Sequence, residues 1–258
     1  MIYETHAHYD DKAFESDRDS LLKLLKKENI NPVINISSSM ESIIRTLELC
    51  EKYDHVYAAV GIHPSDCENL REEDIKWIEE KCKNPKVVAI GEIGLDYHYD
   101  EPSKDIQKKW FIAQLKLALK IGLPISVHSR DAANDTFNIL NDPEFDSLKG
   151  VIHCFSYSAE MAKKYVNKGY FIGVGGVVTF KNGRKLHETV KEIPIEKIVI
   201  ETDSPYLAPV PYRGHRNSSV YLTYIIEQIA RIKQLSYDEV ERITYENGFK
   251  LYGVRADG

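Results

Sequence analysis

Eight short runs of apolar and β-branched residues punctuate the chain: residues 2–6 (IYETH), 32–37 (PVINIS), 56–62 (VYAAVGI), 87–93 (VVAIGEI), 124–129 (PISVHS), 150–155 (GVIHCF), 170–176 (YFIGVGG) and 197–203 (KIVIETD). Such runs are near-continuously apolar, as strands covered on both faces require. Between them lie stretches of helical period. The clearest runs from Pro102 to Gly122, where Ile106, Trp110, Ala113, Leu117 and Ile121 recur at steps of three or four. Pro102 suits a first helical turn and Gly122 a C-terminal stop. After the last strand come a loop over 204–217, a helix near 219–233 and a final helix near 236–252, opened by the capping-box sequence SYDE.

Strands alternating with helices eight times over 258 residues predict an α/β fold, a (β/α)8 TIM barrel. A doubly wound open sheet is the rival architecture. No GxGxxG follows the first strand, however, no Gly, Ser or Pro linker divides the chain, and no internal repeat is visible. One domain over residues 1–258 is the simpler expectation.

Composition adds little to the fold but narrows the function. At 43% apolar residues the chain has enough material for a core. Its net charge of -6 supplies no global field for nucleic acid or an anionic membrane, so an anionic substrate must be held locally. The start MIYETHAHYD lacks the basic and apolar regions of a signal peptide, and no run approaches the 18 or so apolar residues of a membrane span. A cytoplasmic protein without membrane association is expected. Cys50, Cys67, Cys82 and Cys154 form no CxxC pair and read as reduced thiols, most of them in helix or buried strand.

The chemistry begins at ETHAHYD, residues 4–10. In a strand, side chains at i and i+2 share a face and stand roughly 6.6 Å apart along the chain. His6 and His8 can thus converge on one ion, each nitrogen about 2.0–2.1 Å from it. A hydrogen-bonded pair of strand histidines fits the same two residues. The rest of the chain tilts the balance. Glu92 lies near the end of the fourth strand, His128 near the end of the fifth, His153 near the end of the sixth and Asp203 at the end of the eighth. Barrel active sites assemble at that rim.

Four histidines and two carboxylates without a thiolate suit a first-row divalent ion such as Zn, Mn, Fe, Co or Ni, while Mg prefers all-oxygen shells. Six ligands exceed what one catalytic ion takes while keeping an open position. Two divalent ions about 3.5–4 Å apart, bridged by one carboxylate, would use them all. His63, after the third strand, reads as a substrate or second-sphere residue as readily as a loop-packing one. His55 and His187 read as surface residues, and His98 and His215 as loop residues bordering the site, His98 the more exposed.

The motifs THAH, GIHP (61–64), GEIGLDYH (91–98), HSRDA (128–132), HCFS (153–156) and ETDSPYLAPVPYRGHRN (201–217) resemble, in order and across essentially the whole chain, the TatD family of metal-dependent hydrolases. The resemblance implies a TIM barrel and a metal-dependent deoxyribonuclease, with 3′ to 5′ exonuclease and DNA-repair roles among relatives. It implies one ion on His6, His8 and Glu92 with Asp203 adjacent, and Glu92 bridging to a second ion on His128 and His153. The chain departs from the family at Glu4, where Asp is usual, and around His215 and Ser218-Ser219, which puts substrate contacts of that loop in question.

Two divalent ions bring four positive charges against two carboxylates, so metals replace a basic patch. Asp203 is the candidate to take or orient the proton of the attacking water, with Glu92 as the catalytic bridge. Arg130, Arg213 and Arg216 are candidates to grip a flanking phosphate, or to form structural ion pairs. The expected partner is DNA, single-stranded or at 3′ ends, with no obligate protein partner evident. The alternative keeps the metals and changes the bond: an ester, amide or lactone hydrolase, including removal of a D-amino acid from tRNA. Relatives in the wider superfamily bridge their ions with a carboxylated lysine, whereas here Glu92 holds that position and no lysine ends a strand at the rim.

Overall fold

The structure, a computed structural model, describes residues 1–256. Its strands are β1 (Ile2–Ala7), β2 (Ile30–Ile36), β3 (Val56–Val60), β4 (Val87–Asp96), β5 (Ile125–Arg130), β6 (Gly150–Ile152), β7 (Phe171–Val174) and β8 (Ile198–Ile200). They pair in parallel, each with the next in sequence. β1 closes the ring against the chain just beyond β8: Asp203 N–H donates to His6 O (2.9 Å), His8 N–H to Ser204 O (2.8 Å), and Thr5 Oγ1 to Ile200 O (2.8 Å). The result is a TIM barrel, as the strand pattern predicts.

The helices are α1 (Arg18–Lys27), α2 (Met40–Lys52), α3 (Glu72–Lys81), α4 (Lys104–Ile121), α5 (Ala133–Leu140), α6 (Ala159–Asn167), α7 (Arg184–Glu192), α8 (Leu222–Lys233) and α9 (Tyr237–Tyr252). α4 buries Trp110 and Leu117 and ends at Gly122, whose φ of 73° needs no Cβ to be avoided. Pro102 stands before this helix rather than in its first turn, because Ser103 is the cap residue and helical geometry starts at Lys104. α9 opens on a complete capping box, Ser236 with Glu239. The helix anticipated near 219 begins instead with a single 3-10 turn, Ser219–Tyr221.

Two apolar clusters form. The larger lies between strands and surrounding helices. The smaller draws Tyr3, Ile34, Ala59, Val88, Val151, Phe171 and Val199 from seven strands and, from the helices, only Leu251 and Tyr252 of α9. That is the packed interior of the barrel, and α9 seals it beside Tyr3. Filling this end with apolar side chains leaves the C-terminal rim for polar ones.

Two expectations about strand and surface fail in an instructive way. β8 stops at Ile200, so Asp203 stands in the loop beyond it, whereas His153 directly follows the last residue of β6, near its end as expected. His55, read as a surface residue, is buried with Nε2 3.0 Å from Leu22 O, which ties α1 to the start of β3. His187 is half-buried, its Nε2 2.6 Å from Val178 O. The four cysteines are unpaired, but only Cys50 lies within a helix; Cys82 caps α3, and Cys67 and Cys154 occupy loops. No helix among the described residues is long and apolar enough to cross a membrane.

Candidate metal centre

His6 on β1 and His8, the residue after its end, point to one side, as their i, i+2 spacing requires, and their Nε2 atoms approach to 3.2 Å. Asp203 Oδ1 lies 3.3 Å from His8 Nε2 and 3.7 Å from His6 Nε2. Its φ of 57° is in the left-handed region, which Asp tolerates better than most residues. This turn swings the carboxylate back toward β1.

Glu92, 4% exposed on β4, divides the site. Its Oε2 lies 3.5 Å from His6 Nε2 and 3.6 Å from His8 Nε2. Its Oε1 lies 2.8 Å from His128 Nδ1 and 2.7 Å from His153 Nε2. His128 Nδ1 and His153 Nε2 in turn stand 3.3 Å apart. Each carboxylate oxygen therefore faces its own pair of imidazole nitrogens.

Those nitrogen pairs fit a metal. Two ligands about 2.0–2.1 Å from a tetrahedral ion are separated by roughly 3.3 Å, close to the 3.2 and 3.3 Å observed. The donors are all nitrogen and oxygen, which suits first-row divalent ions. Supporting contacts fix the rings as well. His8 Nδ1 lies 2.8 Å from Ile36 O, so it carries the proton and leaves Nε2 as the ligand atom. Behind His6, Nδ1 meets Ser126 Oγ at 3.3 Å.

Charge in the cluster is strongly coupled. Burial would raise the Glu92 carboxyl, but His153, His63 and His128 hold it well below the usual carboxylate range. Burial depresses His6 to about 4, whereas at His8 Asp203 and Glu92 overcome the same burial and push the pKa up to about 10. His128 likewise loses by burial and gains more from Asp96 and Glu92, reaching about 9. Asp203 is buried too, yet His8 and His153 hold it below its ordinary value. At neutral pH these shifts leave protons on His8 and His128 beside the Asp203, Glu92 and Asp96 carboxylates.

His63 joins the cluster, with Nε2 3.7 Å from Glu92 Oε1 and its ring 4.4 Å from that of His128. Burial holds it neutral, with a pKa lowered to about 3. Since its Nδ1 accepts from Ser65 N–H (3.1 Å), Nε2 carries the proton and points a donor at the cavity. Arg130 lines that cavity; Arg213 and Arg216 do not. Arg213 stacks over Phe180 at 4.4 Å, and Arg216 binds Asp17 and Ala13 O over the Phe14 ring. These two arginines serve the loop's own packing in the structure.

Several participants escape sequence reading. Asp96 continues the Glu92 face of β4 at i+4 and sets Oδ2 3.2 Å from His128 Nε2, so the spacing in GEIGLD held the signal. Glu201 lies behind His153. Glu4, in place of the family's Asp, is fully buried beneath the site and accepts from Thr202 Oγ1, Ser219 Oγ, and the N–H groups of His6 and Thr202. Burial outweighs these bonds and lifts its pKa to about 7. Ser219 thus has a structural partner in the loop where the sequence departs from the family.

A closed barrel with this donor set at its rim narrows the possibilities, and sequence comparison decides among them. The family model described as TatD related DNase matches residues 3–253. The chain belongs to the TatD family. Among TatD relatives, the uncharacterized metal-dependent hydrolase YabD of Bacillus subtilis is 42% identical over 254 residues, covering 98% of this chain and all of that protein. The uncharacterized metal-dependent hydrolase YcfH of Escherichia coli K12 is 30% identical, covering 99% and 97%. The crystal structure of YjjV, a TatD homolog from Escherichia coli K12, superposes with a TM-score of 0.92 at 28% identity, covering 98% of each chain. This TatD protein is accordingly a metal-dependent hydrolase.

Proposed function

We propose that the protein is a deoxyribonuclease that hydrolyses phosphodiester bonds of DNA from a free 3′ end, in the 3′ to 5′ direction, with two divalent ions on either side of Glu92. The observation that carries this reading is the division of the Glu92 carboxylate, Oε2 toward His6 and His8 and Oε1 toward His128 and His153. The description of the matching family supports DNA as the substrate class.

His6, His8, Asp203 and Glu92 would hold one ion, and Glu92, His128 and His153 the other. When bound, the ions supply Lewis acidity toward the phosphoryl oxygen and the attacking water. Asp203, kept ionised by its histidine neighbours, accepts the proton of that water. His63 donates Nε2–H to a phosphoryl oxygen, and Arg130 pairs with the next phosphate. Asp96 and Glu201 stand behind His128 and His153 and keep their ligand nitrogens aimed at the cavity.

The test is a 5′-labelled single-stranded oligonucleotide, with free or blocked 3′ end, incubated with protein in Mg, Mn, Co or Zn and in chelator. Stepwise shortening of the free-ended strand, abolished by chelator and by the 3′ block, is the expected result. Intact DNA under every metal, with cleavage of a lactone, ester or aminoacyl-tRNA by the same preparation, would replace the nuclease with the other hydrolase reading.

A further inference from the structure

Two tyrosines stand unusually exposed at the mouth of the metal cavity: Tyr99 at 58% and Tyr206 at 54%. Both line the same cavity of about 810 Å3 as Glu92 and Asp203. They rise from opposite sides of it. Tyr99 follows β4 and lies beneath the Arg130 guanidinium of β5, 5.6 Å from the ring centroid. Tyr206 follows β8, and its ring centroid is 6.4 Å from that of His8, which directly follows β1. In a ring ordered β1 to β8, the β4–β5 and β8–β1 sides face one another.

The Tyr206 ring is not a loose side chain on a loose loop. Tyr206 N–H donates to Asp203 O (2.8 Å), Asn217 Nδ2 donates to Tyr206 O (2.7 Å), and the Tyr206 hydroxyl reaches Asp11 Oδ2 (3.1 Å). This lip is tied directly to the candidate proton acceptor. On the other lip Arg130 has no carboxylate within ion-pair distance among the described residues, so its charge remains available beside the Tyr99 face. Phosphoryl chemistry by itself calls for no aromatic surface at the rim.

We propose that Tyr99 and Tyr206 are the base-binding lips of the cleft, stacking on the nucleobases on either side of the scissile phosphate while Arg130 takes the adjoining phosphate. The proposal rests on the DNA reading above and gives it a substrate form: single-stranded ends with bases free to leave their own stack. Every base has a π face, so such lips grip strands without reading sequence. An aromatic–cation pair at one lip matches a base next to its phosphate.

The experiment compares wild type, Tyr99→Ala, Tyr206→Ala, Tyr99→Phe and Tyr206→Phe on two single strands, one ordinary and one whose last three 3′ nucleotides are abasic. On the ordinary strand each Ala variant raises KM roughly ten- to hundredfold, the size of one lost base–aromatic stack, with kcat held within a few-fold. The Phe variants restore the wild-type KM. On the abasic strand wild type shows the raised KM already, and the Ala variants add nothing to it. Wild-type cleavage with Ala variants of ordinary KM, or an equal loss on both strands, overturns the lips alone. If wild type cleaves neither strand in any metal, the nuclease reading falls and takes the lips with it.

Discussion

Glu201 Oε1 lies 3.8 Å from His153 Nδ1, on the side of the imidazole opposite Glu92. His153 is thus held between two carboxylates, one facing the cavity and one behind the ring. Among the described residues its Nδ1 has no hydrogen-bond partner, nor has Glu201 Oε2. Glycine at 173 makes room for this carboxylate, since a Cβ there would sit 2.4 Å from Glu201 Oε2. A carboxylate behind a ligating histidine raises its basicity and fixes its orientation.

Burial lifts the Glu201 pKa to about 8, so Glu201→Gln keeps the size and the acceptor for Cys154 N–H but removes the negative charge that the carboxyl carries above that pH, where the comparison is made. Metal affinity is expected to fall about 10- to 100-fold, measured by competition with a chromogenic chelator. Affinity equal to wild type would mean that His153 is positioned by packing alone.

Asp203→Asn preserves both shape and tolerance of the left-handed backbone at φ 57°. It removes the proton acceptor. Turnover of metal-saturated protein should drop by about 10^2- to 10^4-fold. A loss of less than tenfold would assign the proton to another group.

Metal loading must expel protons, because His8 and His128 have pKa values raised to about 10 and about 9 in the metal-free protein. The proton lost from His8 is on Nε2, since Nδ1 is committed to Ile36 O. Affinity therefore climbs as pH rises toward 9–10, and calorimetry in buffers of different ionisation enthalpy should report net proton release on metal binding at pH 7 that shrinks as pH approaches 10. The same shifts set a stability window. A histidine whose folded pKa is raised stabilises fully below its ordinary 6.5 and loses that contribution as pH passes its folded value. Chelator-treated protein should accordingly lose melting temperature between pH 7 and 10, and metal-loaded protein should lose less.

Gly94 joins Glu92 to Asp96 at a φ of 148°, and a Cβ there would lie 1.9 Å from His128 O. Gly94→Ala forces β4 and β5 apart where both carry ligands. A destabilisation of about 2–5 kcal/mol is expected from the combined strain and overpacking, read from urea denaturation, with metal affinity reduced in parallel.

The barrel was legible because each strand is a compact apolar run with a helix-period segment after it, and residues such as Trp110 and Leu117 mark the covered face without tertiary information. The approach of His6 to His8 was legible because strand geometry alone fixes i and i+2. Other features depend on where distant segments meet. His55 packs under Leu22 across 33 residues, which no local period encodes. Arg216 reaches back to Asp17 across 199 residues, so a cation in the late loop read equally as a phosphate ligand or a structural pair. Asp96 was legible in the i+4 spacing from Glu92, whereas Glu201, inside the ETDSP motif, is a carboxylate whose support of a histidine has the same sequence signature as one that faces solvent.

The central claim is that Glu92 stands between two cations, and anomalous diffraction from crystals of the protein loaded with Mn or Zn tests it most directly. Two anomalous peaks per chain are expected, about 3.5–4 Å apart, one beside His6 and His8 and one beside His128 and His153, with the Glu92 carboxylate between them. A single peak, or peaks that leave Glu92 uncoordinated, would contradict it.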